Sequence, residues 1–224
     1  MDKSKKLVLI GDGELAEIAY EYFTYDSEYE VCGFSVEEEY LNQKELYNKP
    51  VVALETLEEL FPIEEYEVFV AIPASQLNKL RKRLYDLVKA KGYVCATYIS
   101  SKAFVWRNVK IGDNCFIFEN NTVQPFVEIG NNVILWSGNH IGHRTVIEDN
   151  CFLSSHVVVS GYCRIGSSSF LGVNSTFNDN VTLASDCIVA SGALVHKSMI
   201  DNNKVYFGSP AKAMPRKNAT DIKL

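Results

Sequence analysis

Three of the four histidines crowd into two short runs, Asn139-His140-Ile141-Gly142-His143-Arg144 and Ser154-Ser155-His156. Imidazole ordinarily titrates near neutrality, so it suits a base that removes a proton from an amine or hydroxyl as that group attacks. It is also a common metal ligand, and three histidines suffice for a zinc site. Decoration of a solvent-facing surface is the third reading. The clustering weighs against that one, since a lone histidine is ordinary and three together are not. The fourth, His196, stands apart and reads as structural.

What positions these side chains is a clock. From Ile99 to Val195 every sixth residue is Ile, Leu, Val or Phe, seventeen in succession, and Ile141 is one of them. Six residues fit neither a helix nor an ordinary strand. They fit one flat side of a three-sided coil, in which a buried aliphatic recurs once per side and eighteen residues close a turn. The dipeptides Ile111-Gly112, Ile129-Gly130, Ile147-Glu148, Ile165-Gly166 and Leu183-Ala184 fall eighteen apart and mark one corner, where small residues let the backbone turn sharply. Two positions before each aliphatic comes a mostly small or branched residue, among them Cys115, Thr145, Cys151, Val157, Cys163, Ser169, Ser175, Val181, Cys187 and Ala193. Stacked sides make a parallel β-helix of about five coils whose core is built between neighbours; the period leaves its hand open. His140 and His143 flank the buried Ile141 and so face outward or stand at a corner. Ser154-Ser155-His156 falls one side further along the same coil.

Before Tyr98 the pattern changes. Strands are predicted at Lys6 to Ile10, Glu30 to Phe34, Val68 to Ile72 and Tyr93 to Ile99, and helices at Leu15 to Phe23, Leu54 to Leu60 and Ser75 to Lys91. Alternation of strand and helix implies a small, Rossmann-like parallel α/β sheet. Ligands of such sheets lie beyond the carboxyl ends of the strands. Three loops converge there: Gly11, Asp12, Gly13 and Glu14; the turn beginning at Ser35; and Pro73, Ala74 and Ser75. Gly11-Asp12-Gly13 with Ala16 is a partial dinucleotide fingerprint, which an unliganded turn also explains.

The net charge of −6 argues against nucleic acid as a partner. No leading apolar segment or membrane-length run is present, so a cytoplasmic protein without a membrane partner is expected. Cys115, Cys151, Cys163 and Cys187 share the small inward slot of the hexad. The three on one side lie two coils apart, roughly 9 to 10 Å, too far to bridge. They read as core packing.

The hexads, with the tail Val205-Tyr206-Phe207-Gly208-Ser209-Pro210-Ala211-Lys212, resemble the hexapeptide-repeat sugar acyltransferases, the group acting on nucleotide-linked aminodideoxysugars or on sialic acid. The resemblance implies an α/β domain at 1–98 that holds a nucleotide-sugar, a left-handed parallel β-helix at 99–200, and a tail at 201–224 that completes a coenzyme A site. It further implies an acetyl-coenzyme A-dependent N-acetyltransferase for surface glycans. O-acetylation is the close alternative, and a non-catalytic solenoid that only binds the sugar nucleotide is another. The chain departs from relatives at Phe34-Ser35-Val36-Glu37, where they often carry paired aspartates.

Direct transfer from a thioester needs a base and no metal. The resemblance gives that role to His143, whose hexad slot matches the family's catalytic histidine. Relatives often hold that ring with an adjacent acid, whereas here the neighbours are Gly142 and Arg144, leaving Glu119, Glu128, Glu148 or a partner subunit's carboxylate as candidates. His140 and His156 are expected at the acceptor, with Gly11, Asp12, Gly13, Glu14, Ser35, Pro73, Ala74 and Ser75 around its nucleotide. Coenzyme A is assigned by resemblance to Gly161, Val173, Ser191, Gly192, Gly208, Ala211 and Lys212, in a groove between the subunits of a homotrimer. The γ-class carbonic anhydrases share the solenoid but bind zinc through a His-x4-His pair plus a third histidine. The spacings of three and thirteen here do not match, so no metal is expected.

Overall fold

The computed structural model describes residues 2–224, which fall into two compact units. The first comprises 2–73 and 81–98; the second comprises 74–80 and 99–224.

The first unit is an α/β layer. The apolar run of β1 (Lys5–Ile10) is an interior strand of a sheet, with α1 (Glu14–Tyr25), β2 (Tyr29–Val36), β3 (Glu45–Leu46), β4 (Lys49–Ala53), the single-turn α2 (Leu57–Leu60) and β5 (Tyr66–Val70) following in order. The strand order is β3-β4-β2-β1-β5, parallel except for the β3–β4 hairpin. Leu7, Val8 and Leu9 are fully buried, as a strand covered on both faces requires.

Three expectations are corrected. The hairpin of β3 and β4 was not foreseen, because its strands are too short to show a period. The strand expected at Tyr93 to Ile99 is only a bridge from Cys95 to Val68 and a two-residue strand at Tyr98–Ile99. The helix expected from Ser75 starts at Lys79 (α3, Lys79–Ala90), because Gln76, Leu77 and Asn78 all take left-handed backbone angles that no right-handed helix accepts.

The second unit is the left-handed parallel β-helix. Two-residue strands recur every six residues from Tyr98–Ile99 to Leu194–Val195. They stack into three faces with each strand in register with its counterpart eighteen residues on, as in Ile117↔Leu135↔Leu153↔Leu171↔Val189 on the first face. The second face contains Val123, Ile141, Val159 and Phe177; the third contains Ile129, Ile147, Ile165 and Leu183. From Ile117 to Val195 each periodic aliphatic is at most 4% exposed. The first three depart from the expected burial: Ile99 is 40% exposed, and Val105 and Ile111 are half-buried, because a terminal coil lacks a neighbour on one side.

The corners also correct the sequence reading. Gly112, Gly130 and Gly166 do not supply the left-handed turn. The next coil crosses so closely that a Cβ on Gly166 would stand 2.5 Å from the Ser185 amide nitrogen. The left-handed residue comes two places later, usually asparagine: Asn114, Asn120, Asn132, Asn150, Asn174 and Asn180. The small inward slot has its own logic. Cys115, Cys151 and Cys163 donate to the carbonyls of Gly130, Gly166 and Asn178 at 3.1, 3.3 and 3.1 Å, and Thr145 donates to Ser160 at 2.8 Å. A short S–H or O–H donor there satisfies a carbonyl of the following coil.

The tail closes the top of the prism. Strand Lys204–Phe207 adds in parallel to the first face and pairs antiparallel with Lys212–Asn218. Gly208 accepts from Leu194 at 3.0 Å, and Ala211 donates back to Leu194 at 2.7 Å.

All six cysteines are free and only Cys32 is even half-buried. Burial pushes the Cys32, Cys163 and Cys187 thiols up from their ordinary titration, so access rather than acidity separates them. A thiol reagent applied to the native chain is therefore expected to label Cys32 first and the others only on unfolding; prompt labelling of the solenoid cysteines would contradict the packed slot.

Candidate active site

His140 projects from the second face, between Thr122 and Val158 of the neighbouring coils, and is half-buried. His143 follows at the corner leading to the third face. His156 is not one side along the same coil, as expected; it lies in the next coil, at the opposite edge of the second face, in a left-handed position. The three histidines thus mark one sheet face and its two edges. Among the described residues no group of three or more His, Cys, Asp or Glu side chains is arranged to hold a metal ion.

His143 is exposed but firmly seated. Its ring lies over Gly161, eighteen residues on, where a Cβ would stand 2.6 Å from His143 Cε1 and 3.0 Å from both ring nitrogens. Tyr162 meets the ring edge-on at 5.0 Å between centroids. One coil below, Gln124 Oε1 accepts from the His143 backbone N–H at 2.9 Å and lies 3.3 Å from Nδ1. A backbone N–H can only donate, so the Gln124 atom facing it is the amide oxygen. Since that oxygen can only accept, it favours the tautomer whose proton sits on Nδ1, and in that tautomer Nε2 keeps its lone pair.

The acids expected to orient this ring are engaged elsewhere. Glu119 accepts from Ser137 at 2.6 Å, Glu128 pairs with Lys110 at 2.7 Å, and Glu148 pairs with Arg164 at 2.5 Å. Gln124 and Tyr162 were missed because the hexad pattern reports only what lies inside the prism. An eighteen-residue offset applied to Gly142 and Arg144 finds both.

Gly161→Ala is expected to push the ring off its seat. The clash involves side-chain atoms, so the coil survives while the imidazole is displaced. Turnover should fall by about tenfold or more, since small misplacements are costly in catalysis, with the melting temperature nearly unchanged; equal activity would show that the seat does not matter.

The residues expected to line a coenzyme groove divide between two edges. Gly161 lies under His143, whereas Val173, Ser191 and Gly192 stack at the His156 edge and are exposed at Val173, Ser191 and Gly192. Within one chain these do not form a single groove. Gly208 and Lys212 are exposed, but Ala211 is 2% exposed and belongs to the core cluster closing the prism, so its side chain meets no ligand.

In the first unit, Gly11 has φ +120°, and a Cβ there would approach the Ala71 carbonyl to 3.0 Å. Its amide donates to Ser35 at 2.7 Å. Gly11, Ser35 and the chain before Pro73 therefore meet at the carboxyl edge of the sheet. Asp12 accepts from Gln43 at 3.1 Å; Gly13 and Glu14 open α1 and are exposed. Ser35 is fully buried with its hydroxyl unpartnered. Glu37 is gripped by both Arg83 nitrogens at 2.7 and 2.8 Å, and that guanidinium holds its carboxyl below the usual range. Ala74 and Ser75 group with the second unit. There the segment they open places Leu77 against Ile188, Val205 and Ala219, and Asn78 donates to Ser169 at 3.3 Å.

Residues 108–143 and 127–161 match the family model "Bacterial transferase hexapeptide (six repeats)", and 162–197 match "Hexapeptide repeat of succinyl-transferase". No curated protein matches by sequence. Among solved structures, the chain is similar to the acetyltransferase domain of PglB from Neisseria gonorrhoeae (TM-score 0.83, 22% identity, 94% of this chain and 100% of that one). It is also similar to PerB from Caulobacter crescentus, solved with CoA and GDP-perosamine (TM-score 0.82, 23% identity, 93% and 97%). A third is WeeI from Acinetobacter baumannii (TM-score 0.71, 17% identity, 94% and 100%). At these identities the likeness establishes the fold: an α/β unit followed by a hexapeptide-repeat solenoid.

Proposed function

We propose, for a chain whose solenoid carries the bacterial transferase hexapeptide repeats, that it is an acetyl-coenzyme A-dependent N-acetyltransferase acting on a nucleotide-linked amino sugar. The observation that carries this reading is the seating of His143: Nδ1 is committed to Gln124, and Nε2 is left as a base at an exposed corner. Complexes of a protein of the same fold with CoA and GDP-perosamine supply the substrate classes.

In this mechanism His143 takes the proton of the attacking amine at Nε2 while Gln124 keeps the ring in the required tautomer. Backbone amides at the solenoid corners steady the tetrahedral oxyanion, whose collapse leaves the amide, breaks the C–S bond and releases coenzyme A as the thiol, which takes the proton held by His143. The carboxyl edge around Gly11 and Ser35 holds the nucleotide, with Asp12, Gly13, Glu14 and Pro73 beside it. Val173, Ser191, Gly192 and Gly208 offer exposed backbone to the donor's extended arm, and Lys212 offers a cation to its phosphates. The split of the donor residues between the two edges of the second face supports active sites shared between chains. In a threefold assembly one edge of a protomer meets the opposite edge of the next. A trimer is the expected mass by light scattering, and the site of action is placed in the cytoplasm.

The test is an assay of free thiol release from acetyl-coenzyme A across a panel of nucleotide-linked amino sugars, with hydroxylamine treatment of the product. An amide resists hydroxylamine and an ester does not, so O-acetylation is separated from N-acetylation. Silence across the panel, together with no thermal stabilisation by acetyl-coenzyme A, defeats the proposal. At a hundredfold excess over Kd that stabilisation should be about 2.7 kcal/mol.

A further inference from the structure

At the corner that carries His143, the left-handed positions of three successive coils are Phe126, Arg144 and Tyr162. At the other corners from Asn114 to Gly192 this position is Asn, Asp, Ser or Gly, apart from His156. A left-handed backbone costs an ordinary side chain roughly 1–2 kcal/mol, and burial does not repay it here. Phe126 and Tyr162 are 52% and 53% exposed, and Arg144 is exposed as well. Bulky residues kept in such a conformation at the surface point to function.

The Arg144 guanidinium lies over the Phe126 ring, with Cζ 4.4 Å from the centroid. That contact holds the guanidinium at the ring without using its N–H groups. Among the described residues no carboxylate or carbonyl accepts from that fork. The acids within the same stretch are held by Lys110 and Arg164. Arg144, Phe126, Asn108, Lys110, Glu128 and Val146 line a cavity of about 350 Å³, at the lower end of small-molecule sites. The His143 ring packs on Gly161 of the following coil and Arg144 on Phe126 of the preceding one, so the two neighbouring side chains diverge along one corner.

A planar fork, immobilised and unpaired beside a small cavity, is built to take two oxygens of an anion. We infer that Arg144, backed by Phe126, binds an anionic oxygen group, carboxylate or phosphate, of a substrate that reacts at His143. The inference rests on the function proposed above and adds a charge requirement for the ligand.

The experiment is calorimetric titration of the full chain and of Arg144→Gln with three probes: coenzyme A, a nucleoside-diphosphate-linked amino-uronic acid and its neutral amino-sugar counterpart. Arg144→Gln should weaken binding by about tenfold or more for at least one probe, as loss of a charged hydrogen-bond pair implies. Loss confined to coenzyme A identifies donor phosphate, loss confined to the uronate identifies an acceptor carboxylate, and equal loss for both sugars identifies the acceptor diphosphate. Arg144→Lys should recover only part of the affinity, and Phe126→Leu should weaken the same probe by less. The inference is overturned if the variant binds every probe as the parent does, or if the parent binds none of them. Arg144-dependent binding without any thioester turnover would instead refute the proposed reaction and leave the anion site standing.

Discussion

Replacing His143 by asparagine is expected to lower kcat by about 10²- to 10⁴-fold, the usual worth of a positioned general base. Affinity for acetyl-coenzyme A should stay within about twofold, because in the proposed site the donor is held by Val173, Ser191, Gly192, Gly208 and Lys212 rather than by the ring. Asparagine keeps a polar group over Gly161, so the coil should remain intact. The companion change Gln124→Ala leaves the imidazole in place but frees its tautomer. It should cost less than the loss of the base, and mainly in kcat, because a ring without that acceptor also populates the tautomer with N–H at Nε2, which cannot act as a base there. Steady-state kinetics on both variants separates the roles. If His143→Asn turns over normally, the base lies elsewhere, and His140 and His156 become the next to test.

Asn132→Ala is expected to destabilise the chain by at least about 3 kcal/mol. Asn132 is fully buried and has φ +57°. Its side chain accepts from Asn114 at 2.8 Å and donates to Asn150 at 2.8 Å, the middle rung of a three-coil ladder. Removing the rung forfeits two buried hydrogen bonds at about 1–3 kcal/mol each when a partner is stranded. Alanine in a left-handed position adds roughly 1–2 kcal/mol. Asn132→Gly removes the same bonds but accepts the backbone. The difference between the two variants in denaturant unfolding should therefore be about 1 kcal/mol and measures the conformational part alone. Equal midpoints for Ala and the parent would mean that the corner asparagines carry no load.

The solenoid was legible because its periodic aliphatics are a one-dimensional record of a one-dimensional core: each coil buries Ile141, Leu153 or Ile165 against its neighbours and nothing else. The first unit was less so. Its long central strands, β1 and β2, show an apolar run or alternation, while β3 and β4 are too short to carry a period, and the start of α3 is set by left-handed residues at Gln76 to Asn78 that no propensity foretells.

The sequence by itself determined the prism, its parallel strands, the outward placement of His140 and His143, and the small inward slot, because all of these follow from which residues must leave water. The tertiary structure alone decided which outward residues meet: Gln124 with His143, His143 with Gly161, Arg144 with Phe126, and His156 at the far edge of the face. Contacts between coils join residues eighteen or nineteen apart at the surface, where no burial requirement writes a pattern into the chain and only the register of one coil on the next brings side chains together.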